Sequence, residues 1–335
     1  MEIQASPVYL PAISLFQRIR FMIRVRLLKF ITTQYIKVTN LPGIKDPSTR
    51  PTYTKNYSTQ PRLETRIFVP KSYKSGDALL PLYLDIHGGG FAFMNPKADD
   101  RFCSYFSNKN KILVVSLDYP KTPECQFPQP SLALENLVDE VLKDESLPFD
   151  PKKIVIGGFS AGGNLALSVS QCDGLQGKFA ALVAYYPPVD FSTPIEVSLA
   201  ERPKTAPPDI LEKSAAMFNW AYIKPNQDLK DPLLSPAYAS RRMLPPKLCI
   251  IGCEFDLLCH NSSIMAEKFS KDGNDSERKG SDIGWEKNGV KWEKILGEVH
   301  AFDVLPSKGA EKKRRAKRRD EMHESVAEWL FREVF

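Results

Sequence analysis

From about residue 80 onward the chain alternates between short apolar runs and longer amphipathic ones. PLYLDIH (81–87), ILVVSLDY (112–119), KIVIGG (153–158), FAALVAYYP (179–187), KLCIIGC (247–253) and VKWEKILG (290–297) read as strands. PSLALENLVDEVLKD (130–144), AGGNLALSVSQ (161–171), CHNSSIMAEKFSKD (259–272) and DEMHESVAEWLFREVF (320–335) read as helices. Short apolar strands separated by helices predict an α/β fold, with a mostly parallel central sheet covered by helices on both faces. Before it, residues 13–37 read as a helix, 39–61 as a loop, and RLETRIFVP (62–70) as an exposed, alternating strand. Two segments break the rhythm. Residues 191–235 hold many prolines and one helix at about 209–222, and read as part of a lid. Residues 272–289 (DGNDSERKGSDIGWEKNG) are polar and glycine-rich, and read as a mobile surface insertion.

Composition adds few constraints. The 335 residues are 42% apolar and 26% charged, as in a globular protein. No run of about 18 uncharged apolar residues predicts a spanning helix. The first residues lack the basic start, apolar run and small-residue site of a secretory signal. Six scattered cysteines (103, 125, 172, 249, 253, 259) fit reduced thiols and a cytoplasmic setting.

Charge is uneven. Residues 1–40 carry +5 and residues 306–319 (PSKGAEKKRRAKRR) carry +7, so the rest sums to −6. In the 13–37 helix Arg18, Arg20, Arg24, Arg26 and Lys29 fall on two sides. That helix is open to two roles, covering a site or lying on an anionic membrane surface as a peripheral contact. The second basic run reads as a solvated face or a localisation patch. No aromatic residues are interleaved with it, so no nucleic-acid partner is expected.

The chemistry sits in two glycine-rich turns. Gly158-Phe159-Ser160-Ala161-Gly162 matches G-x-S-x-G between an expected strand and an expected helix, the setting of a nucleophile elbow. Such a turn lifts the Ser160 hydroxyl above the sheet and aims the N–H of Ala161 at a bound oxygen. A serine hydroxyl needs a base, and the base needs an orienting acid, in the chain order Ser, Asp or Glu, His. Of the four histidines, His300 follows the strand VKWEKILG and sits in a loop at its carboxyl end. His260 would start a helix, His323 lies within one, and His87 precedes the serine. Asp256, just after KLCIIGC, fits the acid; Glu254 competes, and Asp190 and Asp231 lie in or near the lid. The second turn, His87-Gly88-Gly89-Gly90-Phe91, follows PLYLDI. Its glycines let backbone N–H groups approach an oxyanion, where each donor contributes about 3–4 kcal/mol in acyl transfer.

HGGGF, DYPKTPE (118–124), GFSAGGN, GCEFDLL (252–258) and GEVHAF, in this order, resemble the hormone-sensitive-lipase-like branch of the α/β-hydrolase superfamily. The resemblance covers about residue 60 to residue 335. It implies a serine esterase for a small-molecule ester, without metal or organic cofactor. Ser160 would be nucleophile, Asp256 orienting acid and His300 base. The oxyanion hole would be Gly89, Gly90 and Ala161, with Gly88 shaping the loop and His87 bracing it. The resemblance also implies one domain over residues 1–335, with cap elements at about 1–55 and 191–235. This chain departs from the branch at Phe159, where the branch usually carries Asp; the ring is expected beneath the elbow. Two other functions share the fold, an amidase or formamidase with the same triad, and a non-catalytic receptor of the gibberellin-receptor kind. The acyl length and oligomeric state have no signature in the sequence.

Overall fold

The computed structural model describes residues 6–41, 43–272 and 277–335. Residues 1–5 and Pro42 of the expected cap, and 273–276 of the expected insertion, lie outside them. In chain order the elements are α1 (Leu15–Thr39), β1 (Tyr53–Lys55), β2 (Thr65–Phe68), β3 (Leu80–Ile86), α2 (Asp100–Asn110), β4 (Leu113–Leu117), α3 (Gln129–Leu142), β5 (Phe149–Phe159) and α4 (Ala161–Val169). There follow β6 (Ala181–Tyr185), α5 (Ile195–Ala200), α6 (Ala215–Tyr222), β7 (Lys247–Cys253), α7 (Cys259–Ser270), β8 (Lys279–Ser281), β9 (Gly284–Lys287), β10 (Val290–Ile295) and α8 (Gly309–Glu333).

Among the described residues one sheet runs β1-β2-β4-β3-β5-β6-β7-β10-β9-β8. The stretch from β4 to β10 is parallel, and antiparallel strands extend it at both edges. Alternation along each strand splits the core. Leu82, Leu84, Ile154 and Ile156 join the cluster holding α3 and α7 residues such as Leu137 and Phe269. Tyr83, Val155 and Val183 join the opposite cluster with Phe106 of α2 and Trp329 of α8. The chain leaves β3 for β4 on one side and later returns to lay β5 on the other. The carboxyl ends of β3 and β5 therefore flank a topological switch point, where open α/β sheets form their crevices.

The structure corrects several expectations. The strand read as exposed is β2, buried along its whole length; Arg66 is satisfied there by the Asp100 carboxylate at 2.6 Å from both Nε and Nη2. Helix α2 was not anticipated, because Asp100, Arg101, Ser104 and Asn108 mask the apolar trio Phe102, Cys103 and Phe106. The 39–61 loop contains β1, and 191–235 holds α5 as well as α6. Helix α8 begins at Gly309, so the basic run is helical.

Seven residues of the polar stretch expected to be a mobile insertion are sheet, in β8 and β9. Strand β9 pairs antiparallel with β10 across Asn288 and Gly289, both at positive φ (48° and 76°). Asn-Gly at a two-residue hairpin turn favours that geometry. Trp285 of β9 lies opposite Trp292 of β10, and both are buried. Trp285→Ala is expected to lower unfolding free energy by about 3–5 kcal/mol in urea titration. A loss below about 1 kcal/mol would mean the hairpin is an appendage to the core.

Candidate active site

Ser160 lies between β5 and α4 with φ 52° and ψ −118°, a backbone region costly for a residue with a side chain. The flanking glycines make it reachable. A Cβ on Gly158 would lie 2.5 Å from the Ile86 carbonyl oxygen, and one on Gly162 only 1.9 Å from it. The Ser160 N–H donates to the Tyr185 carbonyl at 2.8 Å, tying the turn to β6.

Two loops complete the arrangement. After β7, the chain turns so that the Leu258 N–H donates to Asp256 Oδ1 at 2.9 Å. After β10, His300 is presented with Nδ1 2.7 Å from Asp256 Oδ2 and Nε2 2.9 Å from Ser160 Oγ. Both Asp256 and His300 are buried. Burial alone would push the His300 pKa down. The Asp256 charge and hydrogen bond, with Asp209 and Asp303 further out, outweigh it, so the pKa rises above 6.5.

The other candidates lie elsewhere or do other work. Glu254 accepts from the Gly297 N–H at 2.7 Å and shapes the His300 loop. His260, on the first turn of α7, faces Glu201 at 3.8 Å. His323 is buried among Phe102, Phe159 and Tyr185, with burial pushing its pKa down to about 3. Asp190 caps its own turn through Ser192 and Thr193, and Asp231 accepts from the Leu233 N–H. A cavity of about 620 Å³ lined by Phe179, Arg241 and Pro246 opens at the other end of the sheet and contains none of these residues.

The glycine turn after β3 stands beside Ser160. A Cβ on Gly88 would lie 3.5 Å from Ser160 Cβ. Gly89, at φ 114°, folds so tightly that a Cβ there would meet the Phe93 carbonyl at 2.2 Å. Among the described residues neither the Gly89 nor the Gly90 N–H donates to a protein acceptor. The Ala161 N–H belongs to the first turn of α4, which a helix leaves unpaired. The buried ring of His87 stacks on Tyr119 at 4.5 Å, with Nδ1 2.6 Å from the Gly88 carbonyl and Nε2 3.1 Å from Asp118. Lys121 binds the same Asp118 carboxylate. The DYPKTPE segment thus buttresses the glycine turn. Phe159 is buried as expected, stacked on Tyr185 at 4.3 Å.

Sequence reading missed a supporting layer. Asp209 accepts from the Leu257 N–H at 2.6 Å and from the Leu211 N–H at 2.7 Å. Arg202 Nε donates to the Phe255 carbonyl at 3.0 Å. The 191–235 segment therefore grips both neighbours of Asp256. Tyr186 sets its ring edge-on to His300 at 5.0 Å and donates to Asp303 at 2.8 Å. Glu298, fully buried, is bound by Arg314 of the basic run, which ties α8 to the His300 loop. No spacing marks Asp209 or Arg202, whose partners are backbone groups about fifty residues away; Glu298 gave a hint as the acidic residue of GEVHAF.

With this geometry in place, comparison with known proteins gives the class. A model of the alpha/beta hydrolase fold family matches residues 83–281, and the chain belongs to that family. It is similar to an AB hydrolase superfamily protein of Schizosaccharomyces pombe, 28% identical over 63% of this chain and 64% of that one. It is also similar to the versiconal hemiacetal acetate esterase of Dothistroma septosporum, 28% identical over 58% of this chain and 62% of that one. These matches span somewhat less than two thirds of each relative's length. Among solved structures, EstE1, a thermostable carboxylesterase from a metagenomic library, superposes with TM-score 0.69 at 25% identity, covering 90% of this chain and 97% of that one.

The acidic surroundings of His300 generate a prediction. Its imidazole should titrate above 6.5 by NMR, and Asp209→Asn should move the midpoint down by removing a nearby negative charge. A midpoint at or below 6.5 in the native chain would contradict the electrostatic picture.

Proposed function

We propose that the protein is a serine carboxylesterase. The observation that carries this reading is the unbroken chain Ser160 Oγ–His300 Nε2–His300 Nδ1–Asp256, at 2.9 and 2.7 Å, built from the ends of three separate strands. Ser160 attacks an ester carbonyl while His300 takes its proton. Asp256 holds the imidazole tautomer and stabilises the imidazolium. The N–H groups of Gly89, Gly90 and Ala161 receive the developing oxyanion. The tetrahedral intermediate collapses, His300 protonates the departing alcohol, and an acyl-Ser160 ester remains. Water, deprotonated by His300, then attacks that ester and releases the acid, restoring the serine.

The substrate we propose is a short-to-medium acyl ester, or an acetyl ester, of a hydrophobic alcohol. Support comes from the aromatic rim of the site. Phe218 of α6 lies against Gly90, where an added Cβ would meet its ring at 2.8 Å. Phe93 packs on Phe218 at 5.7 Å. We assign the cap to the two segments that carry this rim, residues 1–55 through the inner side of α1 and residues 191–235 through α6. The Dothistroma relative is likewise an esterase, and EstE1 a carboxylesterase. The receptor reading loses support because His300 stands engaged with both partners.

Hydrolysis of chromogenic esters from acetyl to dodecanoyl is expected to peak at short chains and to exceed that of matched amides. Ser160→Ala, His300→Ala and Asp256→Asn should each lower kcat/KM by about 10⁴-fold or more with unchanged circular dichroism. Full turnover in any one of them would remove that residue's role. A folded wild type that turns over no ester but binds a small molecule tightly would favour the receptor.

A further inference from the structure

Helix α1 has two apolar faces. Its inner face, Phe21, Val25 and Leu28, packs on Met217, Trp220 and Ala221 of α6 and on Ala92 beyond the glycine turn. On the opposite side Phe16, Ile19, Ile23, Leu27 and Phe30 point into solvent. At about 100° per residue these five fall within an arc of about 80°. They are 75%, 51%, 61%, 55% and 62% exposed, far more than a chance pair of surface apolar residues. Arg20 and Arg26 border the arc on its two sides. Arg18, Arg20, Arg26 and Lys37 are exposed and make no ion pair among the described residues, whereas Lys29 is paired with Glu124.

We propose that this outer face of α1 docks on an anionic lipid surface. A large apolar stripe edged by unpaired arginines matches the acyl–headgroup boundary, where the stripe enters the apolar zone and the guanidinium groups reach the phosphates. The charge decides the occupant, because a second copy of this helix would bring the same arginines face to face. Among the described residues no helix is long and apolar enough to cross a membrane. Docking sets the lipid on the side of α1 away from α6 and the glycine turn.

Flotation with lipid vesicles tests the docking without reference to turnover. The native chain should float with phosphatidylcholine vesicles containing about one third phosphatidylserine, less with phosphatidylcholine alone, and less at high salt. Ile23→Glu with Phe30→Glu, and separately Arg20→Gln with Arg26→Gln, should each lower partitioning about tenfold or more while circular dichroism stays unchanged. Absence of the native chain from both vesicle types would overturn the proposal. So would flotation that survives the Ile23/Phe30 pair, or a soluble dimer that this pair dissolves while the native chain ignores lipid.

Discussion

A side chain on Gly162 would begin 1.9 Å from the Ile86 carbonyl oxygen, and one on Gly158 2.5 Å from the same atom. The elbow after β5 and the end of β3 therefore meet backbone to backbone, with no room for a Cβ between them. The glycine turn leaves directly from Ile86, so this contact also fixes where Gly89 and Gly90 stand relative to Ser160. In the esterase proposed above, oxyanion donors and nucleophile are then aligned by main chain, the least adjustable part of the fold, which is what electrostatic preorganisation requires. The strain at Ser160, of order 1–3 kcal/mol, persists because β6 and α4 hold the residue from both sides.

The side-chain half of the site rests on a second set of constraints. Carboxylates outside the Ser160–His300–Asp256 chain act as clamps. Glu254 holds the Gly297 N–H, Glu298 holds Arg314, Asp209 holds the Leu257 N–H and Asp303 holds Tyr186. Each joins the Asp256 or His300 loop to a different part of the chain. Two of them, Asp209 and Asp303, also place negative charge near the His300 imidazole. The 191–235 segment and the C-terminal helix thereby help to fix the geometry around Asp256 and His300.

Where signals are local, the sequence is legible. The parallel strands appear as apolar runs, and the elbow and glycine turn appear as glycines at strand ends, because close approach permits nothing else. Ser160, Asp256 and His300 each follow a strand, and the structure brings them together. Long-range partnership is not legible. Arg66 makes β2 look exposed until Asp100 is found beside it, and nothing near Asp209 foretells its hold on Leu257. The hairpin of β9 and β10 carried a local signal, Asn288-Gly289, that polar composition obscured. In α1 the apolar residues occupy opposite faces, so the pattern shows little amphipathicity. Only the packing on α6 separates the inner face from the outer one.

The central claim is that Ser160 is a nucleophile activated through His300 and Asp256. A fluorophosphonate reagent, followed by intact mass and peptide mapping, tests it most directly. The account predicts a single stoichiometric adduct on Ser160, formed rapidly by the native chain and slower by orders of magnitude in His300→Ala. An adduct on another residue, or Ser160 labelling at the same rate without His300, would contradict it.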